Sequence, residues 1–297
     1  MRKGKELVRF DWAMKRLLRD KANFVVLEGF LSVLLNEAIK IRQILPGDSN
    51  KATEDDKFNH VDILVENSKG ELVIIEVQNS KELDYFHRIL FGSSKAIVEY
   101  IQKGDPYAKV KKIISITIAY FDLGQGLDYV YRGTTIFKGI HRGDILTLSA
   151  EQVDLYGKSA VEEIYPEYWI IKAGKFDEDR VNDKLDEWIY FLKTGEVEDS
   201  FTAQGISEAK EKLDEMKLSP QDRLDYESYL KRLRNLASQR HTEMAEFMFS
   251  LKREQAKLKA EIVIELWKNG VPSEVIVKST KLSMEEVNEI IAEAKIE

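Results

Sequence analysis

Lys57–Gln78, KFNHVDILVENSKGELVIIEVQ, reads as two β-strands and the turn between them. VDILVE and ELVIIEVQ are rich in Val, Ile and Leu, and Asn67-Ser68-Lys69-Gly70 supplies turn residues. Each strand also carries an acid among its apolar residues: Asp62 lies between Val61 and Ile63, and Glu76 interrupts Val73-Ile74-Ile75 and Val77. A carboxylate is costly to bury unless it is paired, protonated or bound to a cation. Side chains at i and i+2 share a strand face, so Glu76 and Gln78 point the same way, and the register of the hairpin can bring Asp62 beside them. Two carboxylates, one amide and the backbone carbonyl of Val77 form a hard oxygen set. Such a set suits Mg²⁺ or Mn²⁺ better than Zn²⁺, and no His or Cys cluster competes with it. Magnesium held by two carboxylates with open positions is equipment for phosphodiester hydrolysis. The competing reading sets Asp62 and Glu76 on the solvent side of a half-exposed hairpin, where acids are common.

Upstream of the hairpin, Phe10–Asp20 places Phe10, Met14, Leu17 and Leu18 at helical spacing. Asn23 caps a second, more apolar helix, FVVLEGFLSVLLNEAI, whose one acid is Glu28. Glu28 either profits from the positive end of the helix dipole or belongs to the hairpin site. Pro46–Asp56 is a polar loop. Downstream, Asn79–Lys103 reads as one long helix stopped by Gly104-Asp105-Pro106. Val110–Phe121 alternates as a strand, DYVYRGTTIF and DILTLS are two further strand candidates, and Tyr165–Ala173 is a last one. A short helix covers Asp186–Leu192, and from Phe201 onward the chain looks helical, with breaks near Ser219-Pro220 and Gly270. This order predicts an α/β core followed by an all-α C-terminal extension.

Asp62 followed by Glu76-Val77-Gln78 across a hairpin resembles the PD-(D/E)xK motif, in the form found in the Rpn family of recombination-promoting nucleases and transposases, where ExQ often stands for (D/E)xK. LRDKANFVVLEGFLSVLL, KFNHVDILVEN, ELVIIEVQ, YFHRILFGSSKAIVEYI, VKKIISITIAYFDLGQG, PEYWIIKAGKFD and LDEWIYFLKTGE follow that family's pattern in order, over about residues 8 to 240. The resemblance implies a restriction-endonuclease-like core, a mixed central sheet flanked by helices. It further implies Mg²⁺-dependent endonucleolytic cleavage of DNA, linked to recombination, mobile elements and phage defence. Asp62 and Glu76 would be the metal ligands with the Val77 carbonyl, and Glu28 matches the acidic position on the first core helix that often adds a ligand. Gln78 departs from the usual lysine: it can orient a water but cannot offset charge. Lys81, Arg88 and Lys95 on the next helix are candidates for the missing cation. Tyr85 and His87 are candidates for lining the site, with packing as the alternative for His87. A catalytically weak relative that binds nucleic acid or protein is the competing function.

The remainder of the chain sets limits. With 297 residues, 43% hydrophobic and 33% charged, it can bury a sizeable core. It has no cysteine, which removes disulfides, thiolate metal sites and cysteine nucleophiles. No run of about 18 apolar residues occurs, so no membrane contact and a cytoplasmic location are expected. The net charge of −7 carries no global sign of nucleic-acid binding, although Lys231–Lys259 is locally basic and is either a phosphate-contacting segment or a solvated helical face. The segment from Ala260 resembles a helix-turn-helix, yet its second helix holds Glu285, Glu286, Glu289 and Glu293, which oppose entry into a phosphate-lined groove. Protein contact or oligomerisation is the alternative use. Pairing of two copies through the helical region is compatible with its length, although no regular heptad stands out in the sequence. The expected division is a nuclease-like core over 1–195, a helical extension over 196–254 and a helix-turn-helix-like segment over 255–297.

Overall fold

A computed structural model describes Leu17 and residues 24–45, 62–218 and 220–294. The expected helix over Phe10–Asp20 lies outside these residues except for Leu17, as do the Asn23 cap and the Pro46–Asp56 loop. The elements in order are α1 (Phe24–Leu35), β1 (Ile41–Ile44), β2 (Ile63–Asn67), β3 (Leu72–Gln78), α2 (Tyr85–Glu99), β4 (Ile113–Ala119), β5 (Val130–Gly133), α3 (Ala150–Tyr156) and β6 (Glu167–Ile171). Helices α4 (Lys184–Thr194), α5 (Ile206–Leu218), α6 (Pro220–Lys268), α7 (Ser273–Thr280) and α8 (Met284–Ala294) complete it. Contacts divide the chain into two compact units, Met1–Tyr226 and Glu227–Glu297. Among the described residues no helix is long and apolar enough to cross a membrane.

The first unit is a mixed six-stranded sheet in the order β1-β2-β3-β4-β6-β5. Its central pairs, β3/β4 and β4/β6, are parallel, and the pairs toward both edges are antiparallel. Parallel strands need both faces covered, which is why LVIIEVQ and IISITIA are nearly continuous apolar runs. On one face Val65, Val73, Ile75, Val77, Ile114, Ile116 and Ile118 pack with α1, α4 and α5. On the other, Leu64, Leu72, Ile74 and Ile113 meet Ala96 of α2, while Ala119 meets Tyr85 and Ile89. Two glycines allow α1 and α5 to approach closely: a β-carbon on Gly29 would lie 2.2 Å from the Gln204 carbonyl oxygen.

The hairpin turn is held by Asn67, which is fully buried. Its side-chain oxygen accepts from the backbone N–H groups of Lys69 and Glu71. Gly70 takes the left-handed conformation, φ 77°, that the turn requires.

Elsewhere the sequence reading needs correction. The segment after β3 does not enter a helix at Asn79; it turns through Ser80–Asp84, and α2 begins only at Tyr85. DILTLS is not a strand: Ile145 makes one isolated bridge to Lys138. DYVYRGTTIF shortens to Val130–Gly133, because β5 is an edge strand that pairs only with β6. The apolar helix ends at Leu35 rather than Ile39, since Asn36 adopts a left-handed φ of 52° and Ser32 Oγ accepts from the Ile39 N–H. β1 and α3 were not foreseen; α3 is started by a capping box between Ser149 and Gln152.

Most buried acids are answered inside the fold. Glu66 meets Gln43, Arg42 and Lys111; Asp186 accepts from the Tyr129 hydroxyl; Glu187 accepts from the Thr202 and Ala203 N–H groups. On β6, Glu167 accepts from Lys112 at 2.8 Å, Arg132 Nε at 2.8 Å and Trp169 Nε1 at 2.9 Å. Burial opposes its ionisation, but the Arg132 and Lys112 bonds outweigh that and hold its carboxyl below the ordinary 4.5. A depressed folded-state value means that the stabilisation is complete above the unfolded value and is lost as pH falls through the folded one. Glu167→Gln should therefore lower stability at pH 7 by about 1–3 kcal/mol, by weakening the bonds to the largely buried Lys112 and to the half-exposed Arg132. In urea denaturation the gap to the parent protein should narrow as pH falls below 4.5.

Candidate active site

The β2/β3 register pairs Ile63 with Ile75, and one further step sets Asp62 across from Glu76. Directly opposed residues of an antiparallel pair share a face, so both carboxylates lie on the α2 side of the sheet, at the end of β3 that leads to the turn. Asp62 is half-buried and its Oδ2 accepts from the Val77 N–H at 2.8 Å. In a strand the N–H and C=O of one residue point to the same side, so the Val77 carbonyl is directed to the same flank as Asp62. Glu76 is buried, and its Oε2 accepts from the Tyr85 hydroxyl at 3.1 Å. Above it runs Gly92 of α2, where an added β-carbon would come to 3.9 Å from Glu76 Oε1.

Tyr85 and Arg88, both on α2, respond electrically to this pair. Burial, then the Glu76 carboxylate, push the Tyr85 phenol far above its ordinary value. It therefore remains a hydrogen-bond donor throughout the working pH range. For Arg88, burial is opposed by the nearby carboxylates of Glu76 and Glu82, which win and raise its value further, so the guanidinium is permanently charged. It lies 5.7 Å from the centre of the Tyr85 ring, and its Nη1 reaches both Glu82 oxygens at 3.1 Å.

Gln78 is half-buried on the same face. Its Nε2 donates to Glu82 Oε1 at 2.7 Å and to the Ser80 carbonyl at 3.2 Å. Gln78, Glu82 and Arg88 thus form a chain of polar contacts that borders the carboxylate pair. Glu82 and Gly92 were missed from the sequence. Reading Asn79–Lys103 as one helix hid Glu82, whose place on the turn before α2 allows it to face back toward Gln78.

Residues 8–151 match the model of the PD-(D/E)XK nuclease family transposases. That stretch, a little under half of the chain, is similar to this family. It includes α1 and β1 to β5, so it holds the whole Asp62–Arg88 group, while β6 and α4 to α8 follow it. No curated protein and no solved structure matches the chain.

PD-(D/E)XK nucleases typically use divalent metals. The donors here fit one in kind: two carboxylates and a carbonyl at one strand end are hard ligands, and the β-carbon that Gly92 lacks leaves room above Glu76. Among the described residues no cluster of three or more His, Cys, Asp or Glu forms, so further ligands would be water or phosphate oxygen.

The structure brings together Asp62, Glu76, Val77, Gln78, Tyr85 and Arg88. It does not bring Glu28 to them. α1 packs on the opposite face of the sheet, where Glu28 accepts from the Ile41 N–H at 2.9 Å and from Lys40 at 2.7 Å. Ile41 pairs with Asn67, five residues along β2 from Asp62, which is roughly 16 Å. Lys81 and His87 are exposed, and Lys95 pairs with Glu99 at 3.6 Å one turn beyond Gly92.

Tyr85→Phe leaves a buried carboxylate oxygen without this donor. It should destabilise the fold by about 1–3 kcal/mol in urea denaturation, and the loss should shrink when Glu76→Ala is already present, which a double-mutant cycle measures.

Proposed function

We propose that the protein is a Mg²⁺-dependent DNA endonuclease that hydrolyses phosphodiester bonds, with Mn²⁺ able to substitute. Its setting is the cytoplasm, in recombination, mobile-element movement or phage defence. One observation carries the reading: Asp62 and Glu76 face each other across β2 and β3 within a segment of the PD-(D/E)XK nuclease family. Asp62, Glu76 and Glu82 outnumber Arg88, so the site has excess negative charge and a DNA phosphate gains by approaching only together with a cation. Asp62, Glu76 and the Val77 carbonyl are assigned as the ligands. The bound ion supplies charge neutralisation at the phosphate and a more acidic water. Glu28 is left out of this set because Ile41 and Lys40 engage its carboxylate.

The surrounding side chains do the positioning. Tyr85 fixes the rotamer of Glu76 through its hydroxyl. Gln78, steered by Glu82, presents its amide oxygen as an acceptor for an O–H of the attacking water. Arg88 supplies a fixed positive charge beside the reacting group, the part a lysine at position 78 would otherwise play. Lys81, His87 and Lys95 are not assigned a part. The engagement of both Gln78 and Arg88 by Glu82 favours the second reading, a catalytically weak relative that binds nucleic acid or protein.

Nicking of supercoiled plasmid separates the two. The parent protein should nick in Mg²⁺ or Mn²⁺ and not in EDTA, and Asp62→Ala or Glu76→Ala should lower the rate at least about 100-fold, as loss of a principal electrostatic element does. A parent that cuts no faster than these variants in either ion would sink the enzyme reading.

Gln78→Lys keeps a donor to Glu82 and adds a cation, so its nicking rate should equal or exceed the parent's. A loss as large as that of Asp62→Ala would remove Gln78 from the lysine's place.

A further inference from the structure

In the second unit the last part of α6 packs with α7 and α8 through Val263, Ile276, Val287 and Ile291. Before that contact begins, α6 has a different apolar face. Met244 is 61% exposed, Met248 47%, Leu258 59% and Ile262 39%, and Leu251 is half-buried. Their spacing of four, three, seven and four residues, with Gln255 filling the gap, is a heptad seam. Met248, Gln255 and Ile262 occupy its a positions and Met244, Leu251 and Leu258 its d positions. Phe247 flanks the seam at a g position, while Phe249 projects away from it. Over about three heptads this seam is open to water, and among the described residues no helix faces it.

We propose that a second copy of this chain covers the seam, as a parallel, in-register two-stranded coiled coil over residues 241–262. The flanking charges select this partner and this direction. In a parallel pair each g residue meets the e residue of the next heptad on the other helix, so Glu254 of one chain faces Lys259 of the other. An antiparallel pair would set e against e and g against g, bringing Lys252 toward Lys259 and Glu254 toward Glu261. Gln255 argues the same way. In register, its amide meets its own counterpart and both can hydrogen-bond; antiparallel, it would face leucine and lie buried without a partner. The seam ends at Ile262 because the next turn of α6 is already committed to α7 and α8. The pairing does not depend on the nuclease reading.

The chain has no cysteine, so one introduced thiol reports on one position. The full-length parent should sediment as a dimer, and Gln255→Cys should form an interchain disulfide under mild oxidation. Arg253→Cys, at the outward f position, should not. Leu251→Glu with Leu258→Glu, both at d positions of the seam, should sediment at half the parent mass with an unchanged circular dichroism spectrum outside the coil contribution. Glu254→Lys should weaken pairing, and adding Lys259→Glu should restore it. The proposal is overturned by a monomeric parent, by a dimer that survives the double glutamate variant, or by crosslinking at position 253 as efficient as at position 255.

Discussion

Glu76 is a carboxylate enclosed between a parallel sheet and the helix that crosses it, and the donors that its burial calls for organise its neighbours. A buried ion is tolerated only where donors and cations are provided. The fold provides the Tyr85 hydroxyl, the field of Arg88 and, beside Glu76, the second acid Asp62 tied to the Val77 N–H. The other buried acids serve the fold. Glu66 and Glu167 are surrounded by lysine and arginine, and Glu28 and Glu187 accept backbone N–H groups that link helices to neighbouring segments. Asp62 and Glu76 differ from these in being set side by side on one face of the sheet.

The replacement of lysine by Gln78 changes how charge is distributed without removing it. A lysine would carry its ammonium on the strand itself. Here the strand holds a neutral amide, and the positive charge stands on Arg88, one helix away, linked to Gln78 through Glu82. A guanidinium bound at both Glu82 oxygens has a fixed direction and never loses its proton, so the electrostatic element is rigid rather than adjustable.

The second unit is an arrangement of helices around a small apolar core. α7, the left-handed turn at Lys281 and α8 have helix-turn-helix form, with Val263, Ile276, Val287 and Ile291 as their core. The acidic outer side of α8 discourages contact with phosphate, while the apolar seam of α6 favours another helix.

Much of the fold was legible because its signals are local. The apolar runs of β2 and β3, the alternation of β4, the turn residues after Glu66, the helix breaks before Pro220 and at Gly270 and the mixed α/β order followed from local pattern alone. Asp62 and Glu76 stood out as acids within apolar runs, and a hairpin register that could pair them was one of the readings open; the observed register sets them opposite each other. What only the tertiary structure decided is which side of the sheet each helix covers. That assigned Glu28 to β1, on the far face, and Arg88 to Glu82. It also made Tyr85 a donor to Glu76. The heptad of α6 was hidden for a related reason. Gln255 interrupts its apolar repeat and Phe247 and Phe249 add apolar residues outside it, and only exposure distinguishes a face left open from one packed against α7 and α8. Sequence periodicity records that a side chain is apolar or charged; the partner it meets is set by chain segments distant in sequence, through packing that no local pattern encodes.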